Sequence, residues 1–367
     1  MIYTIFIIFI VSAIIQLIYY WIIFGHLAFY HKKQVSKQSS PVSVVICAKN
    51  EFENLKKFLP LILEQDYPDF EVVVVNDNSD DESFYLLENF SGKYKNLSVV
   101  NLCSSIKFFP GKKFPLSLGI KSAKNDIILL TDADCYPKTN QWITNMQKNF
   151  TKNTEIVLGY GTYGQRKGLL NKLILFDTLN IAIQYFSLSL IGQTYMGVGR
   201  NLAYRKSLFY KNKGFISHYN IISGDDDLFI SKAATKHNTN IEISPDSHTV
   251  SIPKTSFKKW MKQKKRHLST GTLYKPKQKF FLGLFLFSQF LFFLSFIILI
   301  SLTYNILIIC SLFFIRAVSQ LFILKKCMNK LKEKKILLLS PIFELFFILL
   351  NSLLAFSNLF SKKNKWK

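Results

Sequence analysis

Ile2 to Phe24 is a run of 23 residues without a charge, and few folds are open to such a stretch. In a bilayer backbone N–H and C=O groups must be satisfied by the protein itself, and an apolar run of this length does so as a membrane-crossing helix. It makes a poor signal peptide, because no Lys or Arg precedes it, its apolar part is too long and no small-residue cleavage site follows. Lys32, Lys33 and Lys37 come next. Positive charge on that flank places the N-terminus outside and the following segment in the cytoplasm.

Two further uncharged or nearly uncharged spans are predicted at Phe280 to Ile300 and Leu302 to Leu324, turning near Tyr304 and Asn305. Six lysines between Lys325 and Lys335 return the chain to the cytoplasmic side. Arg316 sits inside the third span and must snorkel or face protein or lipid phosphate. The last apolar stretch, Ile336 to Phe360, contains Pro341, Glu344 and Asn351 and has basic flanks at both ends. It fits a span or an interfacial or re-entrant helix, and the flanks favour a non-spanning element. The expected organisation is a membrane helix at 1–25, a cytoplasmic α/β domain at 40–275, a membrane hairpin at 280–324, the ambiguous helix at 336–360 and a basic tail at 361–367. A bacterial inner membrane is the expected location.

The net charge is +24, from 47 Lys and Arg against 23 Asp and Glu, in a chain that is 49% hydrophobic with 35 Phe. The positive charge gathers beside the apolar spans rather than with exposed aromatics, so a membrane surface or phosphorylated substrate is expected and nucleic acid is not. The five cysteines show no pairing pattern, and a cytoplasmic domain keeps them reduced.

Between the membrane segments, strands are read at Val42–Cys47, Phe70–Val75, Leu97–Leu102 and Asp126–Leu130. Helices are read at Asn54–Glu64, after Asp81 and at Lys113–Lys124. Alternating helices and near-continuous apolar strands imply a parallel sheet covered on both faces, with ligands at the carboxyl ends of its strands. Polar clusters fall at those ends: Ala48 to Glu51, Asn76 to Asp81, and Asp132 with Asp134. The last two, spaced by two on an extended chain, project to one side, where their repulsion favours a shared hard cation and a diphosphate. The alternative is an Asp-rich turn capping a helix. Leu169 to Leu190 reads as a core or interface helix rather than a span.

These residues resemble the family 2 glycosyltransferases, inverting enzymes with the GT-A nucleotide-diphospho-sugar fold. They are most similar to the membrane-anchored hyaluronan, cellulose and poly-N-acetylglucosamine synthase group. The resemblance covers about 40–275. It implies that A-K-N-E, with Ala48 and Glu51, helps hold the nucleotide. Asp77 in V-N-D-N-S-D-D would read the base, although Asn76 replaces the family's first Asp and an Asx-turn is the bland alternative. Lys112 in G-K-K-F-P would lie near the diphosphate, with Lys113 the neighbour to test. In T-D-A-D, Asp134 would ligate Mg²⁺ or Mn²⁺, and Asp132 would contact ribose or the metal shell. Packing is preferred to ligation for Cys135.

Gly199, Arg200 and Asn201 in G-V-G-R-N would shape the acceptor side. In S-G-D-D-D-L, Asp226 aligns with the general base and Asp225 lies beside it, while an N-cap is the structural alternative. Gln263 and Arg266 match the Q-x-x-R-W motif near the diphosphate, and His267 stands where that motif has Trp. Lys258 to Arg266 also reads as a stripe facing lipid headgroups.

The function expected is transfer from a nucleotide-sugar, uridine being the more frequent donor base in the resembling group, to a lipid-linked or saccharide acceptor. A processive polysaccharide synthase is the alternative, disfavoured by His267. An inactive membrane scaffold or transport component is the alternative from another class.

Overall fold

The computed structural model describes residues 1–31, 39–102 and 111–360, with side chains to 354. Lys32, Lys33, Lys37, Cys103 and the basic tail lie outside the described residues. The first apolar run forms α1 (Ile2–Ile18), a π-helical turn (Tyr19–Phe24) and α2 (Gly25–Ala28). It makes one continuous helix of 27 residues.

Four strands, β1 (Val42–Ala48), β2 (Phe70–Asp77), β3 (Leu97–Leu102) and β4 (Ile127–Asp132), alternate with α3 (Phe52–Leu63), α4 (Ser83–Lys93) and α5 (Lys113–Ser122). β-Branched side chains stiff at χ1 fill β1 and β2, where Val44, Val72, Val73 and Val74 are completely buried. Each such side chain contributes about 1.5–3 kcal/mol by burial. β1 pairs in parallel with β2 and β4, and β2 with β3. α5 ends two residues before the expected Lys124 because Ala123 turns extended, with ψ 136°.

After β4 come β5 (Cys135–Pro137), α6 (Trp142–Gln147), β6 (Ile156–Gly159) and β7 (Gly161–Tyr163). The long α7 (Leu169–Leu190), β8 (Leu202–Arg205), α8 (Lys206–Lys211), α9 (Asp227–Ala233), β9 (Thr239–Glu242) and β10 (Thr249–Ser251) complete the domain. The main sheet runs β3-β2-β1-β4-β8-β6-β9, and β5-β10-β7 form a small second sheet. The strands anticipated from sequence are all parallel neighbours, whereas β8 enters antiparallel to both β4 and β6.

The chain then forms α10 (Phe257–Leu268), α11 (Pro276–Ser301), α12 (Ile306–Leu331) and α13 (Ser340–Phe360). Five helices among the described residues are long and apolar enough to cross a membrane. α7 has the lowest mean hydropathy of these, 1.4 against 2.1–2.4, and 67% of its apolar window is buried against at most 33% for the others. It therefore packs as a core helix under the sheet. α12 continues past the expected Leu324 to a left-handed cap at Lys332, so the first lysines after the span ride on the helix itself.

Arg316 neither snorkels nor meets lipid. It is 2% exposed and donates to Glu344 Oε2 of α13 at 2.9 Å and Gln320 Oε1 at 2.7 Å. It also reaches Gln16 Oε1 at 3.1 Å and the Tyr20 hydroxyl at 3.0 Å. One hydrophobic core joins Val45, Val73 and Ile128 of the sheet to Leu179 of α7, Ile323 of α12 and Phe343 of α13. Sheet and membrane helices thus share a single packed interior.

Candidate active site

Parallel register brings the polar ends of three strands together. Cys47 lies opposite Asp132 on one side and Val75 on the other, and Ala48 lies opposite Asn76. The loops after β1 and β2 are clasped: Asn50 N donates to Ser79 Oγ at 3.0 Å, and Asp80 N to Asn50 Oδ1 at 2.8 Å. Phe52 N donates to Asp81 Oδ2 at 3.0 Å. Asn76 fixes this loop through Nδ2 to Asn101 Oδ1 at 3.0 Å, while its Oδ1 accepts from Ser79 N. Asp77 follows it, buried at the end of β2. Glu51 accepts from Asn54 Nδ2 at 2.5 Å, and burial raises its carboxyl above the usual range. The Cys47 thiol, pushed up to about 12 by burial, feels Lys112, Asp225, Asp132 and Asp77. Those four groups therefore surround one point of the sheet edge.

Lys112 forms an ion pair with Asp132. Burial acts to raise the Asp132 carboxyl, but the Lys112 ammonium holds it below its ordinary value. Asp134 shifts the other way, raised by burial and by the Asp132 charge. Ligand atoms of Asp132, Asp134 and Cys135 all lie within 4.8 Å of one another. The two carboxylates offer the hard oxygen donors that Mg²⁺ and Mn²⁺ take. The Cys135 thiol is buried, raised well above its ordinary pKa by that burial, and hydrogen-bonds Asp134 Oδ1 and Ser251 Oγ. It packs behind the pair as a protonated neighbour. The donor set fits a divalent cation held by Asp134 and Asp132.

The triple Asp follows Gly224, whose φ of +101° is open to glycine at little cost. Asp226 caps α9, accepting Asp227 N through Oδ1 at 2.8 Å, and its Oδ2 accepts Gly199 N at 2.8 Å. Capping and exposure to the cavity thus coexist on one carboxylate. Burial, then the Asp227 charge, raises Asp226 to about 6. Asp225 is also raised to about 6, by burial and then by Asp226. Asp227 is committed elsewhere, accepting from Thr270 and from the Tyr274 hydroxyl at 2.8 Å.

Lys113 does not join Lys112 at the sheet edge. It is 1% exposed, and its ammonium donates to the His218 carbonyl at 2.9 Å and to that of Ile221. Burial lowers it to about 8. His218 Nε2 lies 2.8 Å from the Gly224 carbonyl, so Lys113 braces the turn that delivers the three aspartates.

A cavity of about 760 Å³ runs from Asp132, Asp134 and Asp226 past Gly199, Arg200, Gln263, Arg266 and His267. It continues between the apolar helices to Phe285, Leu324 and Phe347. Arg200 lies across Gly161, donating Nε to its carbonyl at 3.0 Å, and stacks over the Tyr163 ring at 4.7 Å. A side chain at 161 would collide with Arg200 at 2.5 Å. Gln263 donates to the Tyr163 hydroxyl at 3.2 Å, and Arg266 to Ser223 Oγ at 3.4 Å. Burial, then the Arg266 charge, pushes His267 down to about 3, leaving a neutral ring in the wall.

Asn201 does not line this cavity. Its side chain is completely buried, accepting from Trp142 Nε1 at 3.0 Å and donating to the carbonyls of Tyr160 and Ser247. Conversely, sequence reasoning missed the cavity pair Lys264 and Asp177, 2.7 Å apart. Lys264 sits one residue past Gln263, but its partner is 87 positions away. Trp260 also lines the cavity, two turns before His267, edge-on to Phe347.

The chain matches the model of "Glycosyl transferase family 2" over residues 43–212 and that of "Glycosyl transferase family group 2" over 131–356, more than half its length. It is 26% identical over 280 residues to the probable glycosyltransferase YdaM of Bacillus subtilis, covering 70% of this chain and 64% of that protein. It is 27% identical over 154 residues to the dolichyl-phosphate beta-glucosyltransferase ALG5D of Trichomonas vaginalis, covering 39% and 46%. The chain thus spans less than two thirds of the length of either relative. Among solved structures, the mannosyltransferase PcManGT from Pyrobaculum calidifontis, in complex with GDP-Man and Mn²⁺, superposes with a TM-score of 0.60. That match has 18% identity and covers 94% of this chain and 99% of that one; identity that low bears on the fold alone, which is GT-A. Two family models, their residues overlapping the polar sheet edge and the long apolar helices, make this chain a family 2 glycosyltransferase.

Proposed function

We propose that the chain is an inverting glycosyltransferase embedded in a bacterial inner membrane, moving a sugar from a nucleotide-diphospho-sugar to an acceptor carried on a lipid. The observation that carries this reading is the continuity of one cavity from the carboxylates of the sheet edge into the membrane helices. A water-soluble acceptor needs no such extension, whereas a lipid needs an apolar path that reaches the reacting hydroxyl.

In this reading the clasped loops with Ala48, Glu51 and Asp77 hold the nucleoside, and Lys112 and Arg266 face the diphosphate. Asp134 and Asp132 would hold Mg²⁺ or Mn²⁺, which would supply positive charge against the departing diphosphate. Lys112 is free to turn from Asp132 to the diphosphate once the carboxylate is otherwise engaged. Asp226 Oδ takes the proton from the acceptor hydroxyl as that oxygen attacks the anomeric carbon from the face opposite the diphosphate, giving inversion. Gly199 N–H and the α9 N-terminus keep that carboxylate oriented. The neutral His267 ring and Trp260 shield the acceptor path from water. The catalytic domain lies on the cytoplasmic side in this arrangement, where nucleotide-sugars are made.

The test is transfer by the full chain in lipid nanodiscs, screened over UDP- and GDP-sugars with Mg²⁺ or Mn²⁺ and a membrane lipid extract as acceptor. Radiolabel in the organic phase is the expected result. Label found only in free sugar or long water-soluble polymer would remove the lipid acceptor.

A further inference from the structure

The membrane end of the cavity is not uniformly apolar. Tyr20, Gln289, Gln320, Glu344 and Asn351 line it alongside Phe285 and Ile348. Gln289 lies ten residues beyond Lys279 on α11, about 15 Å along the helix, so these groups sit below the membrane surface. Their charges are balanced internally: Arg316 is paired with Glu344, and Gln289 Nε2 donates to Glu344 Oε1 at 2.7 Å. Gln320 uses its Oε1 to accept from Arg316.

Arg316 Nε is buried without a partner but does not line the cavity; among the groups that do line its inner end, what remains unmatched is neutral. Gln289 Oε1 and Gln320 Nε2 have no hydrogen-bond partner among the described residues, and Asn351 Oδ1 is buried without one. In hydrocarbon such atoms are costly unless something hydrogen-bonds to them. An isoprenoid chain passing this point has nothing to offer, whereas a hydroxyl, ester or amide satisfies both a donor and an acceptor. The π-helical turn adds an independent mark. It widens the first helix where Tyr20 and Phe24 face the cavity, and such turns recur at functional sites.

We propose that this inner end is a hydrogen-bonding subsite for a neutral polar group (hydroxyl, ester or amide) in the lipid part of the acceptor. The proposal rests on the lipid-acceptor reading and narrows it to lipids whose linker carries such a group, as a glycosylated diacylglycerol or ceramide does.

The full chain in phosphatidylcholine nanodiscs is tested by native mass spectrometry for binding of monoglucosyl-diacylglycerol, glucosylceramide and geranylgeranyl phosphate. Gln289→Leu/Gln320→Leu, checked for monodisperse elution, is expected to bind the two glycolipids at least about tenfold more weakly, with geranylgeranyl phosphate unaffected. The glycolipid with the larger loss identifies the linker, ester or amide. Ile348→Trp, which fills the cavity, is expected to abolish binding of all three. If the double variant binds the glycolipids as the natural chain does while Ile348→Trp does not, the subsite is overturned and the lipid cavity stands. If Ile348→Trp binds every probe unchanged, both readings fall.

Discussion

The Gly199 amide donates to Asp226 Oδ2 at 2.8 Å, tying the loop before β8 to the carboxylate that caps α9. The residue proposed to take the acceptor proton is therefore aimed by a backbone group of the wall it faces. Asp226→Asn keeps the cap and should lower transfer by roughly 10²–10⁴. Nucleotide affinity, measured by titration calorimetry, should change little. Full activity in the variant would remove Asp226 as base.

The same carboxyl sets a pH dependence. Its folded pKa near 6 lies above the ordinary 3.8, so the base is ionised, and transfer rises, as pH climbs through about 6. Stability runs the opposite way. A raised acid pKa favours the folded state when protonated, and that contribution is lost as pH rises from 3.8 towards 6. Metal-free protein should therefore show a falling thermal midpoint across this window, with a shallower fall in Asp226→Asn.

Asp134 and Asp132 differ in what their loss should do. Asp134→Asn should weaken Mn²⁺ binding and lower transfer by about 10²–10³. Asp132→Asn also frees Lys112 from its ion pair, so part of its loss should appear as altered donor affinity. Equal Mn²⁺ titration curves for the natural chain and Asp134→Asn would exclude it as a ligand.

Lys113 offers a test of positioning without contact. Lys113→Met removes the brace on the His218 and Ile221 carbonyls and should lower kcat by about tenfold or more with donor KM unchanged. Lys113→Arg should restore part of it. A matched fall in donor affinity would instead place Lys113 at the diphosphate.

Breaking the membrane pair should be costly. Arg316→Ala or Glu344→Ala alone leaves an uncompensated buried charge, worth about 3–5 kcal/mol. The paired change Arg316→Met/Glu344→Leu should recover much of that, read as thermal midpoints in nanodiscs.

Much of this was legible in the sequence because the signals were local. Apolar runs mark the strands and the long apolar helices, and D-x-D and S-G-D-D-D fall where strand ends and loops place them. What was missed depended on pairing over distance. Asn201 looks like a site residue beside Arg200, yet Trp142, 59 positions away, claims its side chain. Lys264 reads as one more lysine in a basic stripe until Asp177 stands next to it. Arg316 and Glu344 were each conspicuous in an apolar run, but nothing local says they meet, or that β8 would enter the sheet reversed.

The Arg316–Glu344 bond also sets an order of events. Synthesis delivers the arginine 28 residues before its counter-charge, so α12 forms carrying a cation whose anion has yet to pack against it. The arginine site is therefore complete only once α13 has packed, and a chain cut before Glu344 is expected to hold Arg316 as an uncompensated buried charge.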